Sequence, residues 1–140
     1  MAIEVFTEAW AAEWCRVLNS RPAYQEAAAN WEGGVALVMA RDGTAASGQR
    51  AVYLDLWHGR CRGARVALPE DLTAATYVLS GTAPAWRGIL SGTMAPLTAL
   101  MTGKIRLTRG SMASLIPFAA AARELVVAAT EMEVSFPGDW

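Results

Sequence analysis

The spacing of apolar residues predicts two helices at the start of the chain. Thr7 suits an N-cap, and apolar side chains recur at helical spacing through residues 6–18, with Trp10 and Trp14 on the same stripe. A second, shorter helix is predicted over residues 23–29, because the proline directly before it suits a first helical turn. Aromatic residues mostly lie in protein cores, so we expect both tryptophans to pack the first helix against a sheet.

Five later segments alternate apolar and polar residues, which predicts five β-strands. These segments are residues 35–39, 52–57, 64–68, 77–79 and 104–108. Short polar stretches separate the first three strands, and one stretch contains the hairpin signal Asp42-Gly43. Successive strands joined by short turns form an antiparallel meander, so we expect a meander over the first three strands.

Short helices are predicted before the last strand and a longer helix after it. Pro96 suits the first turn of one short helix, and Gly103 suits the left-handed residue that ends it. Ser111 suits the N-cap of the long helix, which Pro117 is expected to kink or restart because proline cannot donate a hydrogen bond at mid-helix. The tail over residues 131–140 is expected to be irregular.

Together these elements predict an α+β fold, with a five-stranded, mostly antiparallel sheet covered by N- and C-terminal helices. A length of 140 residues corresponds to a single domain over residues 1–140. Hydrophobic residues make up 54% of the chain and charged residues only 18%. That apolar content exceeds what the core of a small domain needs, so the surplus must cover a partner subunit, a membrane or an internal cavity.

The charge pattern argues against nucleic-acid binding, because the net charge is −1 and no basic run occurs. No signal peptide is evident, and no uninterrupted apolar run reaches the length of a transmembrane helix. Nearly all basic residues are arginine, which the codon bias of a GC-rich bacterial genome would explain. We therefore expect a cytoplasmic bacterial protein with no transmembrane segment.

The pair Gly103-Lys104 raises the question of a phosphate-binding loop. Such a loop has another glycine five residues before this one, where Thr98 stands, and Ser or Thr after the lysine, where Ile105 stands. The order of elements is also reversed, because a phosphate-binding loop follows a strand and precedes a helix. The sequence therefore does not support a nucleotide enzyme.

Residue types suited to catalysis or metal binding are few. His58 is the single histidine, and Cys61 lies three residues after it, a spacing that two zinc ligands can share. A zinc site needs at least three protein ligands, and Cys15 is distant in sequence on a predicted helix. Two cysteines do not make a disulfide framework. We predict no catalytic residue, metal or cofactor, and we interpret His58 as a surface-turn residue and Asp55 as a residue of the solvated sheet face, the alternative for Asp55 being a polar anchor inside a ligand cavity.

Small residues in the last helix suggest a cavity. Alanine occupies positions 113, 119–122, 128 and 129, and on a buried face it leaves room that leucine would fill. The alternative explanations are close helix packing and GC-rich coding. Trp86 begins a short helix, where its side chain would either pack in the core or line the mouth of such a cavity.

The segments YLDLWHG and ALMTGKIRLTRG, followed by an apolar helix, carry a family resemblance. From about Phe6 to Ala129, the chain resembles the SCP2-like (sterol carrier protein 2) sterol-binding domain family in a bacterial stand-alone form. The resemblance implies a five-stranded sheet with an apolar tunnel beneath its helices, and binding of fatty acids, fatty acyl-CoA, sterols or other lipids without shared catalytic residues. Lys104 would then lie near a turn, either solvated or close to an acidic lipid head.

Candidate ligand-lining residues come from the segment that carries the resemblance and from the helix after it, and each also suits an ordinary core. They are Trp86, Leu90, Met94, Leu97, Leu100, Met101, Ile105, Leu107, Leu115, Phe118, Ala122, Leu125 and Val126.

Three functions follow from the sequence. The first is a soluble lipid or fatty-acyl binding or carrier protein whose partner is a hydrophobic small molecule. The second is a non-catalytic accessory module that uses apolar surface to bind another protein or a second copy of itself as a homodimer. The third and weakest is an enzyme that uses His58 and Cys61. A closed cavity would favour the first function and an exposed apolar patch the second.

Overall fold

The computed structural model describes residues 2–40 and 48–138. The helices are α1 (Glu8–Asn19), α2 (Pro22–Ala27), α3 (Pro69–Ala74), α4 (Ala83–Leu90), α5 (Pro96–Met101), α6 (Met112–Leu115) and α7 (Ala119–Thr130), with a 3-10 turn at Ile116–Phe118. The strands are β1 (Ile3–Glu4), β2 (Glu32–Ala40), β3 (Gln49–Trp57), β4 (Arg60–Val66), β5 (Tyr77–Thr82), β6 (Ile105–Arg109) and β7 (Val134–Ser135). The predicted turn at Asp42-Gly43 lies outside the described residues.

The main sheet has five strands in the order β4-β3-β2-β5-β6. Its pairs are antiparallel except for β2 and β5, which run parallel. The predicted meander over β2, β3 and β4 is confirmed. The chain then crosses through α3 to the far side of β2, and this crossover makes the one parallel pair. The predicted α+β fold with a mostly antiparallel five-stranded sheet is therefore confirmed.

Local sequence signals set several helix ends as predicted. The Thr7 side chain accepts a hydrogen bond from the Trp10 backbone N–H, and the Ser111 side chain accepts one from Ser114. Gly103 has a φ of 78°, a conformation that glycine adopts without steric cost. A 3-10 turn that contains Pro117 separates α6 from α7, so this proline restarts the helix.

Three boundary predictions were wrong. The second helix ends at Ala27, and the third predicted strand ends at Val66. Leu68 instead precedes Pro69, the first residue of α3, and its backbone N–H donates to the Asp71 carboxylate at 2.8 Å. The tail is not wholly irregular, because β7 pairs with β1 in a two-stranded parallel sheet. Two residues are too few to show a period, so only this tertiary pairing defines β7.

The two faces of the main sheet are covered unequally. On one face, apolar side chains of the central strands pack with α1, α2, α4 and α7 in the main core, where Trp10 and Trp14 are almost completely buried, as predicted. On the other face, α3 covers a smaller cluster that includes Ala36, Val38 and Val78. Within the described residues, only the large cluster on the first face lies between the sheet and several helices, so a ligand cavity is expected there.

One apolar segment of the described chain meets two criteria for a membrane-spanning helix. Met112–Thr130, 19 residues with a mean hydropathy of 1.5, is long and apolar enough to cross a membrane by length and composition alone. Core helices of soluble proteins meet the same two criteria. In this fold the segment is divided by a 3-10 turn, and 22% of it is buried.

Asp71 is expected to make stability depend on acidic pH. Its pKa is lowered by the hydrogen bond from Arg65, with a further contribution from the Leu68 N–H, whereas partial burial acts in the opposite direction. Because the folded pKa lies below the ordinary value of 3.8, the carboxylate stabilises the fold above that pH. The stabilisation is lost as the pH falls through the lower folded pKa.

We therefore expect Asp71→Asn to lower the free energy of unfolding by about 1 kcal/mol at neutral pH, as for loss of a helix-capping interaction. The difference from the parent should shrink as the pH falls through the lowered pKa of folded Asp71, because protonated Asp71 is neutral like asparagine. Urea unfolding at several pH values would measure it, with Glu70→Gln on the same helix as the control. An equal difference at every pH would contradict the assignment.

Candidate functional site

An apolar cavity of about 70 Å³ lies between the covered face of the sheet and the helices. This volume is several times the roughly 10–15 Å³ that a cavity needs to hold one water molecule. Side chains from the sheet, from α1, α2, α4, α5 and α7 and from the segments beside them form its wall. Nearly every element of the main core therefore contributes to its wall.

The floor of the cavity comes from alternate positions on the central strands. Val35 and Leu37 on β2 face it together because alternate side chains of a strand point to the same side. In register, Val35 pairs with Tyr77 and Leu37 pairs with Leu79 on β5, so the same face continues across the parallel pair. Leu56 on β3 extends the floor on the other side of β2.

Helix α4 forms one wall through Trp86, Ile89 and Leu90, which helical spacing places on one face. The Trp86 indole N–H donates to the Val38 carbonyl at 2.8 Å and fixes the ring against the sheet. A Cβ at Gly81 would lie 2.3 Å from the Cδ1 atom of Ile105 and 3.4 Å from the Trp86 Nε1 atom, so the glycine leaves room for both side chains. Trp86 thus lies both in the core and at the cavity wall.

Helix α7 supplies small residues where the sequence predicted unfilled space. Ala121 and Ala122 lie at the wall, followed by Leu125 and Val126 one turn later. The exposed alanines at positions 113 and 120 face away from the core, so their small size has no bearing on the cavity. Only part of the alanine-rich pattern therefore reflects the cavity.

Hydrogen bonds hold the polar atoms of most aromatic wall residues. The indole N–H of Trp14 donates to the Leu125 carbonyl at 3.0 Å, and that of Trp31 donates to the Gly33 carbonyl at 2.9 Å. The Tyr77 hydroxyl lies 2.6 Å from the Ser114 hydroxyl. No charged residue belongs to the described wall, so it offers a ligand almost entirely apolar contact.

The structure brings nine of the thirteen predicted site residues together at the wall. They are Trp86, Leu90, Leu97, Leu100, Ile105, Leu115, Ala122, Leu125 and Val126. Their contact with a ligand stays a prediction. Lys104 is exposed next to Gly103 and does not belong to the wall.

Four predicted residues lie outside the wall. Met101, the last residue of α5, is 75% exposed. Phe118 packs edge-on against Trp31 with ring centroids 4.9 Å apart. Met94 and Leu107 are partly buried against the core. Apolar character alone could not distinguish these positions from the residues that border open space.

Sequence analysis missed eleven wall residues, eight that precede Trp86 in the chain and three within the segment from which its list was drawn. They are Trp14, Tyr24, Trp31, Val35, Leu37, Leu56, Tyr77, Leu79, Ile89, Pro96 and Ala121. The alternation of Val35, Leu37 and Leu56 was a usable signal, since it already assigned them to one sheet face. No comparable signal marked Tyr24, whose six-residue helix is too short to define a face.

The residues considered for catalysis lie elsewhere. Cys61 forms a disulfide with Cys15, which the sequence analysis had treated as distant and unpaired, so neither sulfur is a free thiol. His58 lies at the surface with its Nε2 atom 2.6 Å from a Glu32 carboxylate oxygen. Within the described residues, no group of three or more His, Cys, Asp or Glu could hold a metal ion. Asp55 pairs with Arg62 at 2.9 Å away from the cavity, as the solvated-face interpretation predicted.

Solved structures similar to this chain share its fold over most of its length. A crystal structure of sterol carrier protein 2 is 45% identical, with 92% of this chain and 99% of that chain covered and a TM-score of 0.82. A protein from Thermus thermophilus, described as a candidate sterol carrier protein, is 44% identical, with coverage of 99% and 96% and a TM-score of 0.82. Sterol carrier protein 2 from Yarrowia lipolytica, at 16% identity, coverage of 90% and 89% and a TM-score of 0.58, shows the fold alone.

No curated protein matches the chain. The model of the SCP-2 sterol transfer family matches residues 13–121, which is more than half of the chain. The two structures above 40% identity agree with that match over nearly the whole fold. The chain therefore belongs to the SCP-2 sterol transfer family.

Proposed function

We propose that this protein is a non-catalytic carrier that holds one lipid, such as a fatty acid, a fatty acyl-CoA or another single-chain lipid, in the apolar cavity. The observation that carries the proposal is the cavity itself, because its wall, as far as the described residues form it, is almost entirely apolar and lies in a fold of the SCP-2 family. The wall formed by the described residues has no charged group, and Cys61 is bound in a disulfide, so the residues considered for catalysis have no place in this function.

A whole lipid chain needs more room than the 70 Å³ cavity offers, so the wall must open. Helix α5 has only Ala99 buried and α6 only Leu115, and both helices are short. Segments with few buried apolar contacts open at low free-energy cost. We propose that outward movement of α5 and α6 enlarges the cavity when a chain enters.

The expected affinity suits a carrier. A fatty chain that buries roughly 400 Å² gains about 10 kcal/mol at about 25 cal/mol per Å². Association costs at least about 4 kcal/mol, which leaves roughly 6 kcal/mol and a dissociation constant of tens of micromolar. Since the wall offers almost entirely apolar contact, lipids of similar chain length should compete closely.

Exposed apolar residues favour a second candidate function, an accessory module that binds a partner protein or a second copy of this chain. Met101, Leu68 and Ile116 are 75%, 55% and 54% exposed. Met101 and Ile116 each follow a cavity-wall residue directly in sequence. We therefore attribute their exposure to the movable segments at α5 and α6 before we attribute it to a docking surface. Sedimentation at increasing protein concentration would detect a homodimer. If a homodimer forms, the accessory function becomes the better explanation.

Native mass spectrometry of the protein purified from its host tests the carrier proposal. We expect a mass above that of the bare chain, and solvent extraction should release a lipid that accounts for the difference. A fluorescent fatty acid added to the delipidated protein should bind with a dissociation constant of tens of micromolar or below. A bare monomer that also fails to bind the fluorescent fatty acid would contradict the proposal.

A further inference from the structure

The Tyr24 side chain is the exception among the polar aromatic groups of the cavity wall. Tyr24 lies on α2, is 2% exposed and belongs to the wall. Its hydroxyl has no hydrogen-bond partner within the described residues, whereas Tyr77 in the same wall is held by Ser114. Leaving a buried hydroxyl unpaired costs free energy, so the position of this group needs an explanation.

The Tyr24 oxygen differs from the other unpaired polar atoms of the interior. The indole nitrogen of Trp10 and the Nε atom of Arg21 are closed off from any accessible space, and neither residue belongs to the cavity wall. The Tyr24 hydroxyl is not among these closed-off atoms, and its residue borders the cavity. Because Tyr24 is 2% exposed and borders the cavity, the surface that stays accessible on its hydroxyl is available to a ligand, or to a water molecule in its absence, that accepts its hydrogen bond.

The protonation state of Tyr24 determines whether its hydroxyl can donate a hydrogen bond to a ligand. Burial raises the pKa of Tyr24 to about 12, so the group is a neutral hydrogen-bond donor throughout the physiological range. Among the described residues, no cationic side chain belongs to the wall beside it. An ionised carboxylate at this depth would be left without a counter-charge, which is strongly unfavourable.

We propose that the Tyr24 hydroxyl is a specificity-determining anchor that donates a hydrogen bond to a neutral oxygen of the bound lipid, as in a long-chain alcohol or ester. This inference rests on the proposed carrier function and adds the chemical class of the ligand. A lipid with an ionised head would bind with its head away from Tyr24, so the Tyr24 hydroxyl would not add to its affinity.

Displacement of the hydrocarbon dye diphenylhexatriene by decanol and by decane tests this anchor. In Tyr24→Phe we expect the affinity for decanol to fall about tenfold, the effect of losing one well-formed hydrogen bond, while the affinity for decane stays within about twofold. Tyr53→Phe is the matched control, because Tyr53 packs against Arg65 and does not belong to the described cavity wall. In this control the ratio of decanol to decane affinity should equal that of the parent.

Two further readouts do not rely on the affinity of the variant. The ligand-free Tyr24→Phe protein should unfold at the same temperature as the parent or higher, because the lost hydroxyl had no partner. In the parent labelled with carbon-13 at the tyrosine ring carbon that bears oxygen, decanol should shift the Tyr24 signal, and decane should not.

The two proposals fail in different ways. If decanol and decane bind the parent but their affinity ratio is the same in Tyr24→Phe and the Tyr24 signal does not respond to decanol, the anchor is overturned and the carrier function stands. If the parent binds neither the dye nor either compound, the carrier function is overturned and the anchor with it.

Discussion

Replacing Ala122 with phenylalanine is expected to weaken binding of a fluorescent fatty acid roughly 50-fold. Ala122 lies on α7 at the cavity wall, so the added ring occupies space that a lipid chain needs. A phenyl group that excludes roughly 100 Å² of apolar contact removes about 2.5 kcal/mol of binding free energy at about 25 cal/mol per Å². Fluorescence titration of parent and variant would measure the change.

Ala120→Phe on the same helix is the matched control. Ala120 is exposed, so the same added ring extends into solvent and should leave the affinity within about twofold of the parent. Equal loss in both variants would point to damage to α7 rather than to a filled cavity. Unchanged affinity in Ala122→Phe would show that the lipid binds elsewhere.

Removing the disulfide by Cys15→Ser together with Cys61→Ser is expected to lower the free energy of unfolding by about 2–4 kcal/mol. The bond joins α1 to β4 across 46 residues of sequence, so its loss lets the unfolded chain adopt many more conformations. The fold itself should persist, because the Asn19 side chain also joins α1 to β4. It donates a hydrogen bond to the Cys61 carbonyl at 2.8 Å and accepts one from the Cys61 backbone N–H at 2.9 Å.

The reduced parent provides the control for this prediction. With a reductant present, parent and double variant should unfold at the same denaturant concentration, whereas without it only the parent should gain stability. The disulfide would be contradicted if the parent had two free thiols and unfolded at the same denaturant concentration with and without the reductant. The thiol state in host cells also tests the proposed cytoplasmic location, since most cytosolic proteins keep their cysteines reduced.

Helix ends were predictable where one residue and its immediate neighbours decide the conformation. Thr7 and Ser111 cap helices through side chains that reach only three residues along the chain. Gly103 ends α5 because a positive φ is a property of a single residue. Such short-range effects act in the same way in whatever fold surrounds them.

The cavity wall was less predictable, because a residue belongs to the wall only if empty space, and not another side chain or solvent, lies next to it in the folded protein. Met101 and Leu100 are neighbours on α5 with equal apolar character, yet only Leu100 borders the cavity and Met101 is 75% exposed. Tyr24 was overlooked because α2 carries no period that assigns it a face. Position relative to empty space depends on the packing of several elements at once.

The sequence by itself determined the types and order of most elements, the caps of α1 and α6, the antiparallel meander and the family. The elements, the caps and the meander depend on residue spacing and on contacts between close neighbours in the chain, whereas the family was indicated by a resemblance. The tertiary structure alone decided the Cys15–Cys61 bond, the pairing of β1 with β7 and the set of side chains around the cavity. Each of these joins residues far apart in sequence, and no local pattern encodes a contact that exists only after the chain has folded.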